Sequence, residues 1–335
     1  MKRGLGLTAF ALSIAFTVFL TSCAKSYHQP NEHFVLVASN INLPYWQEAA
    51  AGFKDGASWL GVKEDVAGPA SYDPKQELAA FQKAVAGGAT GILVSPAAPA
   101  LFNSAINAAV QQGIPVITVD SDAPDSHRIM FVGTDNVRAG AECAKHLAEL
   151  LHGEGNIMIV SIPEQLNQEQ RLQGAQQVLS GYPKIKIVET FDDMGKPERA
   201  NDEISKLIAA KKPLDGILCL EASGGPGAAE VLHRLGLKGK IQIVAFDKNP
   251  ETLDWISRGE IAGTIAQKPY TMTYYGIRFL DDLHHNAVHE FTNWRTSPVS
   301  PLPSIVDTGT AWIDRSNVAA FKAAIASYQQ SPGST

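Results

Sequence analysis

Six polar side chains in this sequence follow short apolar runs and could together bind a ligand rich in hydrogen-bonding groups. They are Ser39, Asn40, Asp120, Glu221, Asp247 and Gln267. Ionised carboxylates accept hydrogen bonds, whereas amides and hydroxyls both accept and donate them. Each residue alone is equally typical of a strand end that caps the next helix. The six together favour a binding site in a cleft between two domains.

Local patterns of the common catalytic and nucleotide-binding sites are missing from the sequence. It has no Walker loop, no GxGxxG after a strand, no GxSxG elbow and no HExxH. The glycine-rich run 223–227 (SGGPG) lacks a phosphate-binding lysine, so we interpret it as an ordinary strand-to-helix loop. The run 192–201 (DDMGKPERAN) lacks the acidic alternation and closing glutamate of a calcium loop. We therefore predict a protein without catalysis and without a cofactor.

Three histidines near the end of a predicted helix are a candidate metal site. His285 and His289 are four residues apart, a spacing that can hold a metal ion on one helical turn, and His284 precedes them. A nearby cysteine or a well-placed third ligand is lacking in the local sequence. We interpret the group as a solvated surface cluster and predict no metal site.

Short β-branched apolar runs alternate along the chain with helical patterns, and these elements must position the polar residues. Strands are predicted at residues 34–39, 91–95, 115–120, 129–133, 156–161, 186–190, 216–220, 241–247 and 262–267. Helices are predicted at 45–60, 74–86, 101–112, 139–151, 168–179, 199–210, 227–235, 251–258 and 270–283. Regular alternation of this kind predicts two doubly wound, parallel α/β sheets. The polar residues then lie at the carboxyl ends of strands, where such sheets bind ligands.

Length and composition agree with two packed domains. The chain has 335 residues, 45% of them hydrophobic and 19% charged, with a net charge of −6. At about 150 residues per domain this length predicts two domains, and the composition excludes a disordered or disulfide-stapled chain. The acidic balance argues against a nucleic-acid partner.

The first 22 residues have the pattern of a secretory signal peptide. Lys2 and Arg3 precede an uncharged apolar run from 4 to 20, which ends in Leu-Thr-Ser-Cys at Cys23. This ending resembles the lipobox of bacterial lipoproteins, and the resemblance implies cleavage before Cys23 and lipidation of its sulfur and amine. An uncleaved transmembrane anchor is the alternative, because 17 residues reach the lower limit for crossing a bilayer. We expect residues 23–32 to be a lipidated cysteine and a flexible tether. Cys143 and Cys219 are expected to stay as buried thiols.

Several longer stretches resemble the periplasmic sugar-binding proteins of ABC importers, in the ribose and galactose branch. They are VASNINLPYWQEAAAGF (37–53), GIPVITVDSDAP (113–124), VGTDN (132–136), NQEQRLQG (167–174), IVAFDKNP (243–250) and GTIAQKPY (263–270). The resemblance runs from about residue 34 to 325. It implies two type I lobes joined by a three-stranded hinge, with the ligand between them.

The family's binding positions can be carried over to this sequence one by one. Aromatic side chains that stack on a sugar face correspond to Tyr45 and Trp46. The carboxylates correspond to Asp120 and Asp247, and the guanidinium donor to Arg171. The hinge amide and the first loop correspond to Gln267, Ser39 and Asn42.

Four positions differ from the pattern of the ribose binders. Ser121 stands in place of an arginine, Leu43 in place of an asparagine and Glu221 in place of an asparagine, and Met194 lies near a position that is often aromatic. The lost arginine removes a bidentate donor, so we expect a ligand other than ribose. We include Ser121, Met194 and Glu221 among the expected contacts.

The resemblance implies an extracytoplasmic lipoprotein, in the periplasm or at the cell surface, that captures a monosaccharide or sugar alcohol by lobe closure. It would deliver the ligand to the transmembrane permease of an ABC importer, as a monomer that touches the membrane through its lipid only. We expect a first lobe of residues 33–133 and 269–304, a second lobe of 134–268 and 305–327, and a tail of 328–335.

Other functions remain open at this point. The ligand could be an autoinducer furanose or inositol, or the protein could be a sensor that feeds a receptor kinase or a chemotaxis system. Two carboxylates could also act as acid and base in a lipoprotein enzyme. A repressor with the same core would need a DNA-binding headpiece, but the predicted signal peptide occupies that end of the chain.

Overall fold

The computed structural model describes residues 27–163, 165–288 and 293–329. The predicted signal peptide, Cys23, His289 and residues 330–335 lie outside these ranges. No helix within them is long and apolar enough to cross a membrane.

Twelve strands within the described residues form two sheets of six. The first sheet, in the order β11-β5-β4-β3-β1-β2, contains β1 (His33–Val37), β2 (Lys63–Ala67), β3 (Gly91–Val94), β4 (Val116–Val119), β5 (Met130–Gly133) and β11 (Ile305–Asp307). The second, in the order β12-β10-β9-β8-β6-β7, contains β6 (Glu154–Ser161), β7 (Lys184–Asp192), β8 (Gly216–Cys219), β9 (Gln242–Phe246), β10 (Gly263–Ala266) and β12 (Ala311–Asp314). All pairs are parallel except β10 with β12. The predicted doubly wound pair of sheets is confirmed.

Helices cover both faces of each sheet. Around the first sheet lie α1 (Pro44–Leu60), α2 (Pro74–Ala86), α3 (Pro99–Gln111) and α9 (Pro269–His284), and around the second lie α4 (Asn136–Leu150), α5 (Leu166–Leu179), α6 (Pro197–Ala209), α7 (Gly224–Arg234), α8 (Pro250–Arg258) and α10 (Val318–Gln329). Six of these helices begin with proline, whose fixed φ suits the first helical turn and whose missing N–H is not needed there. Strands such as β3 and β4 are buried throughout because helices cover them on both sides.

Three crossings between the lobes lie within the described residues, and the last lies later in the chain than expected. The first two run from β5 to α4 and from β10 to α9. The predicted boundary at residue 305 assigns β11 to the second lobe, but β11 pairs with β5 of the first sheet. The third crossing therefore falls between Asp307 and Ala311.

The segment from Tyr27 to Glu32 is not a free tether. Glu32 is buried, and the Tyr27 ring stacks on His285 at a centroid distance of 4.2 Å. This part of the expected tether packs against the end of α9.

Close packing of α4 against α5 positions the cleft-facing side of α5. A Cβ at Gly140 would overlap the backbone of Arg171, and one at Gly174 would overlap the carbonyl oxygen of Val137. Glycine at both positions lets the two helices pack closely against each other, and this packing holds Arg171 at the wall of the cleft.

Candidate functional site

A polar cleft opens between the carboxyl ends of the two sheets. The first lobe lines it with Ser39, Asn40, Leu43, Tyr45, Trp46, Tyr72 and Asp120. The second lobe adds Ile162, Gln165, Asn167, Gln168, Arg171, Gly195, Glu221, Ala222, Ser223 and Asp247, and Gln267 comes from the hinge. Strand-end residues from both sheets thus meet in one place.

Asp120 and Asp247 occupy equivalent positions in the two lobes. Each follows a strand with left-handed backbone (φ 65° and 67°), a region that aspartate tolerates better than most residues. Each backbone N–H donates to the neighbouring strand, from Asp120 to Val132 and from Asp247 to Ile265. The turn aims both carboxylates into the cleft, and such conformations concentrate at functional sites.

Neighbouring side chains orient the Asp120 carboxylate. The Tyr45 hydroxyl donates to its Oδ1 at 2.7 Å, and the Ser95 hydroxyl donates to Oδ2 at 3.1 Å. Asn167 of the second lobe also donates to Oδ2, at 3.2 Å. Burial raises the pKa of Asp120, while the charge of Arg171 and these hydrogen bonds oppose the rise.

The Asp247 carboxylate has fewer partners. Gln267 Nε2 donates to its Oδ1 at 2.9 Å, and the Gln267 carbonyl side-chain oxygen accepts from Thr134 at 2.9 Å. Burial raises the pKa of Asp247 to about 6, with the Arg171 charge opposing it. Asp247 Oδ2 thus remains able to accept a hydrogen bond from a ligand.

Arg171 supplies the positive charge of the cleft and is only 1% exposed. Its Nε donates to Asn136 at 2.9 Å, its Nη1 donates to the carbonyl of Leu220 at 2.8 Å, and its guanidinium lies 4.1 Å from the ring centre of Phe246. Among the described residues its buried Nη2 has no hydrogen-bond partner. A buried donor without a partner is costly, so this nitrogen is a strong candidate to bind ligand.

Glu221 and Asp193 form a buried carboxyl pair at the second lobe. Glu221 accepts from the backbone N–H groups of Ser223 and Gly224 at the start of α7. Burial, followed by the negative charge of Glu221, raises the pKa of Asp193 well above its usual range. Burial also raises the pKa of Glu221, whose side chain lines the cleft.

Tyr45 and Trp46 have a double role. Both rings line the cleft, and both also pack in the core between α1 and the first sheet. Their rings meet edge to face at 5.3 Å. Because the Tyr45 hydroxyl is bonded to Asp120, this ring is held rigidly at the cleft wall.

Eight of the eleven expected contacts meet at the cleft, and three do not. The three are Asn42, whose amide donates to Ala70 at the surface; Ser121, which is buried and whose backbone N–H donates to the Ser95 hydroxyl; and Met194, which is exposed. A left-handed turn at Met194 and Gly195 directs the Met194 side chain outward and places Gly195 at the cleft.

Other cleft residues were missed from the sequence. Asn40 follows a strand but is not among the expected contacts, and the sequence pattern singles out none of Asn167, Gln168 and Tyr72. The spacing of Asn167 and Arg171, one helical turn apart in α5, was a usable signal, because such residues share a helix face.

Contacts between the lobes close the cleft in this structure. Besides the bond from Asn167 to Asp120, Lys248 Nζ lies 2.6 Å from Glu48 Oε2 and 3.2 Å from the carbonyl of Gln267. Residues distant in sequence thus bridge the lobes at two places.

Comparison with known proteins decides the family. A family model described as periplasmic binding protein domain matches residues 34–286. This chain belongs to that family. The chain is 24% identical over 259 residues to the D-allose-binding periplasmic protein of Escherichia coli, and the match covers 74% of this chain and 83% of that protein. It is 25% identical over 283 residues to the ribose import binding protein of Escherichia coli, covering 84% and 92%.

A solved structure agrees with this assignment. The sugar-binding protein of a sugar ABC transporter from Bacillus halodurans superposes on this chain with a TM-score of 0.77 and 33% identity, and the match covers 87% of this chain and 100% of that one. The expected resemblance is confirmed, and the family implies an exported protein.

Two further expectations concern histidine and cysteine. Cys143 and Cys219 are buried free thiols, as expected. The interpretation of the histidines as a solvated cluster is wrong for His285, whose side chain is 13% exposed and contacts Glu32 and Asp281. Asp281 is four residues from His285, but the contact with Glu32 could not be predicted, because Glu32 lies some 250 residues away.

Proposed function

We propose that this protein binds a monosaccharide or sugar alcohol between its lobes and presents it to the permease of an ABC importer, without catalysis. The observation that carries the proposal is the pair of equivalent carboxylates, Asp120 and Asp247, with the unpartnered Nη2 of Arg171 in the same cleft. Sugars and polyols offer neighbouring hydroxyls that donate to carboxylates and accept from a guanidinium. The allose and ribose bound by the named relatives are ligands of this class.

Burial makes these groups strong ligands for hydroxyls. Both carboxylates and the guanidinium are less than one-tenth exposed, so a bound sugar replaces few hydrogen bonds to water. Charge-assisted hydrogen bonds contribute roughly 1.5–3 kcal/mol each, and three of them account for much of a sub-micromolar affinity.

Glu221 directs the choice of ligand. Its side chain lines the cleft at the position where the family resemblance places an asparagine in ribose binders, and its oxygens also accept from the backbone N–H groups of Ser223 and Gly224. An ionised carboxylate accepts hydrogen bonds but does not donate them, whereas an asparagine amide does both, so this position favours a ligand that presents a hydroxyl donor there.

A thermal-shift screen of the purified protein against pentoses, hexoses, deoxysugars and polyols tests the proposal. A ligand that binds only the folded state raises the melting temperature by mass action. We expect one or a few compounds to give a shift, and Asp247→Ala to abolish it. Asp254→Ala is the matched control, because Asp254 is an exposed carboxylate of the same lobe that pairs with Lys322. The absence of any shift, or a full shift in Asp247→Ala, contradicts the proposal.

The lipid anchor is a separate part of the proposal. The lipobox-like ending at Cys23 supports cleavage and lipidation there, which would tether a monomer in the periplasm or at the cell surface. Metabolic labelling with a radioactive fatty acid should mark the wild-type protein but not Cys23→Ser. Equal labelling of the two proteins, or none in either, refutes the anchor and leaves the sugar site untouched.

A further inference from the structure

Four metal-ligating side chains from two distant segments meet at the end of the first lobe away from the cleft. We call them the histidine–carboxylate cluster: His28 and Glu32 from the segment before β1, and Asp281 and His285 from the end of α9. One ligand atom from each lies within 4.8 Å of all the others. No other such group occurs among the described residues.

Four of the separations between these atoms are close to those of a tetrahedral metal site. His28 Nδ1 lies 3.0 Å from Glu32 Oε2 and 3.5 Å from Asp281 Oδ1. His285 Nε2 lies 3.3 Å from Glu32 Oε2 and 3.4 Å from Asp281 Oδ1. A tetrahedron with metal–ligand bonds of about 2.0–2.1 Å has edges of about 3.3–3.4 Å. Four of the six edges are therefore already near the required length.

Burial gives a second, independent indication of a ligand. Glu32 and Asp281 are 3% and 4% exposed, so two carboxylates are withdrawn from water side by side. Asp281 Oδ1, which faces both imidazoles, is buried without a hydrogen-bond partner among the described residues. A buried carboxylate oxygen of this kind is costly unless a cation satisfies it.

Surrounding contacts hold the ligands in place. The backbone N–H of Gln29 donates to Glu32 Oε1 at 2.8 Å, which turns Oε2 toward the cluster. Asp281 and His285 are one helical turn apart, and the Tyr27 ring stacks on His285. Such outer contacts orient metal ligands in known sites.

We propose that this cluster binds one divalent transition-metal ion of the zinc type, which fixes the segment 28–32 to the end of α9. The two carboxylates balance the charge of the ion, and the two imidazoles make the site better suited to zinc than to magnesium or calcium, which prefer all-oxygen sites. The ion would crosslink the end of α9 to the segment that leads back to Cys23.

The proposed metal site is separate from the sugar cleft. Glu32 precedes β1 and Ser39 follows it, so the length of the strand, about 17 Å, lies between the two sites. Zinc and sugar binding can therefore be measured independently, and failure of one proposal leaves the other standing.

The test uses tag-free purified protein that has been dialysed against a chelator and then titrated with Zn²⁺ at neutral pH. We expect one equivalent of Zn²⁺ to bind with a Kd of about 10 µM or tighter and to raise the melting temperature. Addition of a chelator should reverse this rise. His28→Gln and His285→Gln should each weaken binding about tenfold or more, while sugar binding is unchanged. Co²⁺ should show the intense visible absorption of a tetrahedral site.

His233→Gln is the matched control, because His233 pairs with Glu260 at 2.9 Å far from the cluster. It should keep the wild-type Zn²⁺ affinity. If His285→Gln does not fold, His28→Gln decides, since His28 lies outside the helices and strands. Absence of saturable Zn²⁺ binding overturns the proposal, and so does wild-type affinity in His28→Gln.

Discussion

Replacing Asp247 by asparagine should stabilise the ligand-free protein and weaken sugar binding at the same time. Burial raises the pKa of Asp247 to about 6 in the folded protein, against an ordinary value of 3.8. Above pH 6 the folded state therefore holds a charge that burial disfavours. Asparagine has the same shape and keeps an oxygen to accept from Gln267 Nε2, but it carries no charge.

The size and the pH dependence of this gain follow from linkage. A shift of about two pKa units corresponds to about 3 kcal/mol. Between pH 4 and 6 the folded protein binds more protons at Asp247 than the unfolded chain does. The free energy of unfolding of the wild type therefore falls by this amount as the pH rises through that range. Asp247→Asn should thus match the wild type near pH 4 and exceed it by up to about 3 kcal/mol at pH 7.5.

Urea unfolding of the ligand-free protein at pH 4 and pH 7.5, followed by circular dichroism, measures the difference. Affinity for the sugar should fall about 10- to 100-fold in the same variant, because one charge-assisted hydrogen bond is lost. Asp254→Asn, at an exposed carboxylate, should change neither quantity. A variant that is less stable than the wild type at pH 7.5 refutes the assignment of Asp247 as a buried, strained ligand group.

Three further predictions concern the cleft, its support and the thiols. Asn167→Ala should weaken sugar binding about fivefold, mainly through faster release seen in stopped-flow traces, because a bond across the cleft is lost; unchanged release contradicts this role. Gly174→Ala should destabilise the protein by about 1–3 kcal/mol in thermal unfolding, because its Cβ overlaps the backbone of α4, whereas Gly87→Ala at the surface should not. Cys143 and Cys219, fully buried with raised pKa values, should react with a thiol reagent only after denaturation; fast reaction of the native protein argues against this burial.

The two carboxylates of the cleft could be predicted because they follow strands directly. Asp120 and Asp247 each end an apolar run, and the rule that parallel sheets bind ligands at their carboxyl ends brings them together. Arg171 required the family resemblance, since nothing in its local sequence shows that a helix will present it to the cleft. The prediction for Met194 was wrong because the residue pattern does not reveal a left-handed turn at Met194 and Gly195. This turn directs the Met194 side chain outward and leaves Gly195 at the cleft.

The strands that were missed share a physical cause. Residues 63–67 (KEDVA) form an edge strand that is largely exposed, so it lacks the apolar run of a buried strand. The strands β11 and β12 have only three and four residues and lie at sheet edges. The histidine–carboxylate cluster was hidden for another reason: its two halves are about 250 residues apart, and only the fold brings Glu32 to His285.

The most direct test of the central claim is a calorimetric titration of the purified protein with the sugar or polyol that gives the largest thermal shift. We predict saturable binding of one ligand per chain with a Kd of about 1 µM or tighter, and no detectable binding to Asp247→Ala. Failure of every monosaccharide and polyol to bind, or wild-type affinity in Asp247→Ala, would contradict a sugar site built on Asp120, Arg171 and Asp247.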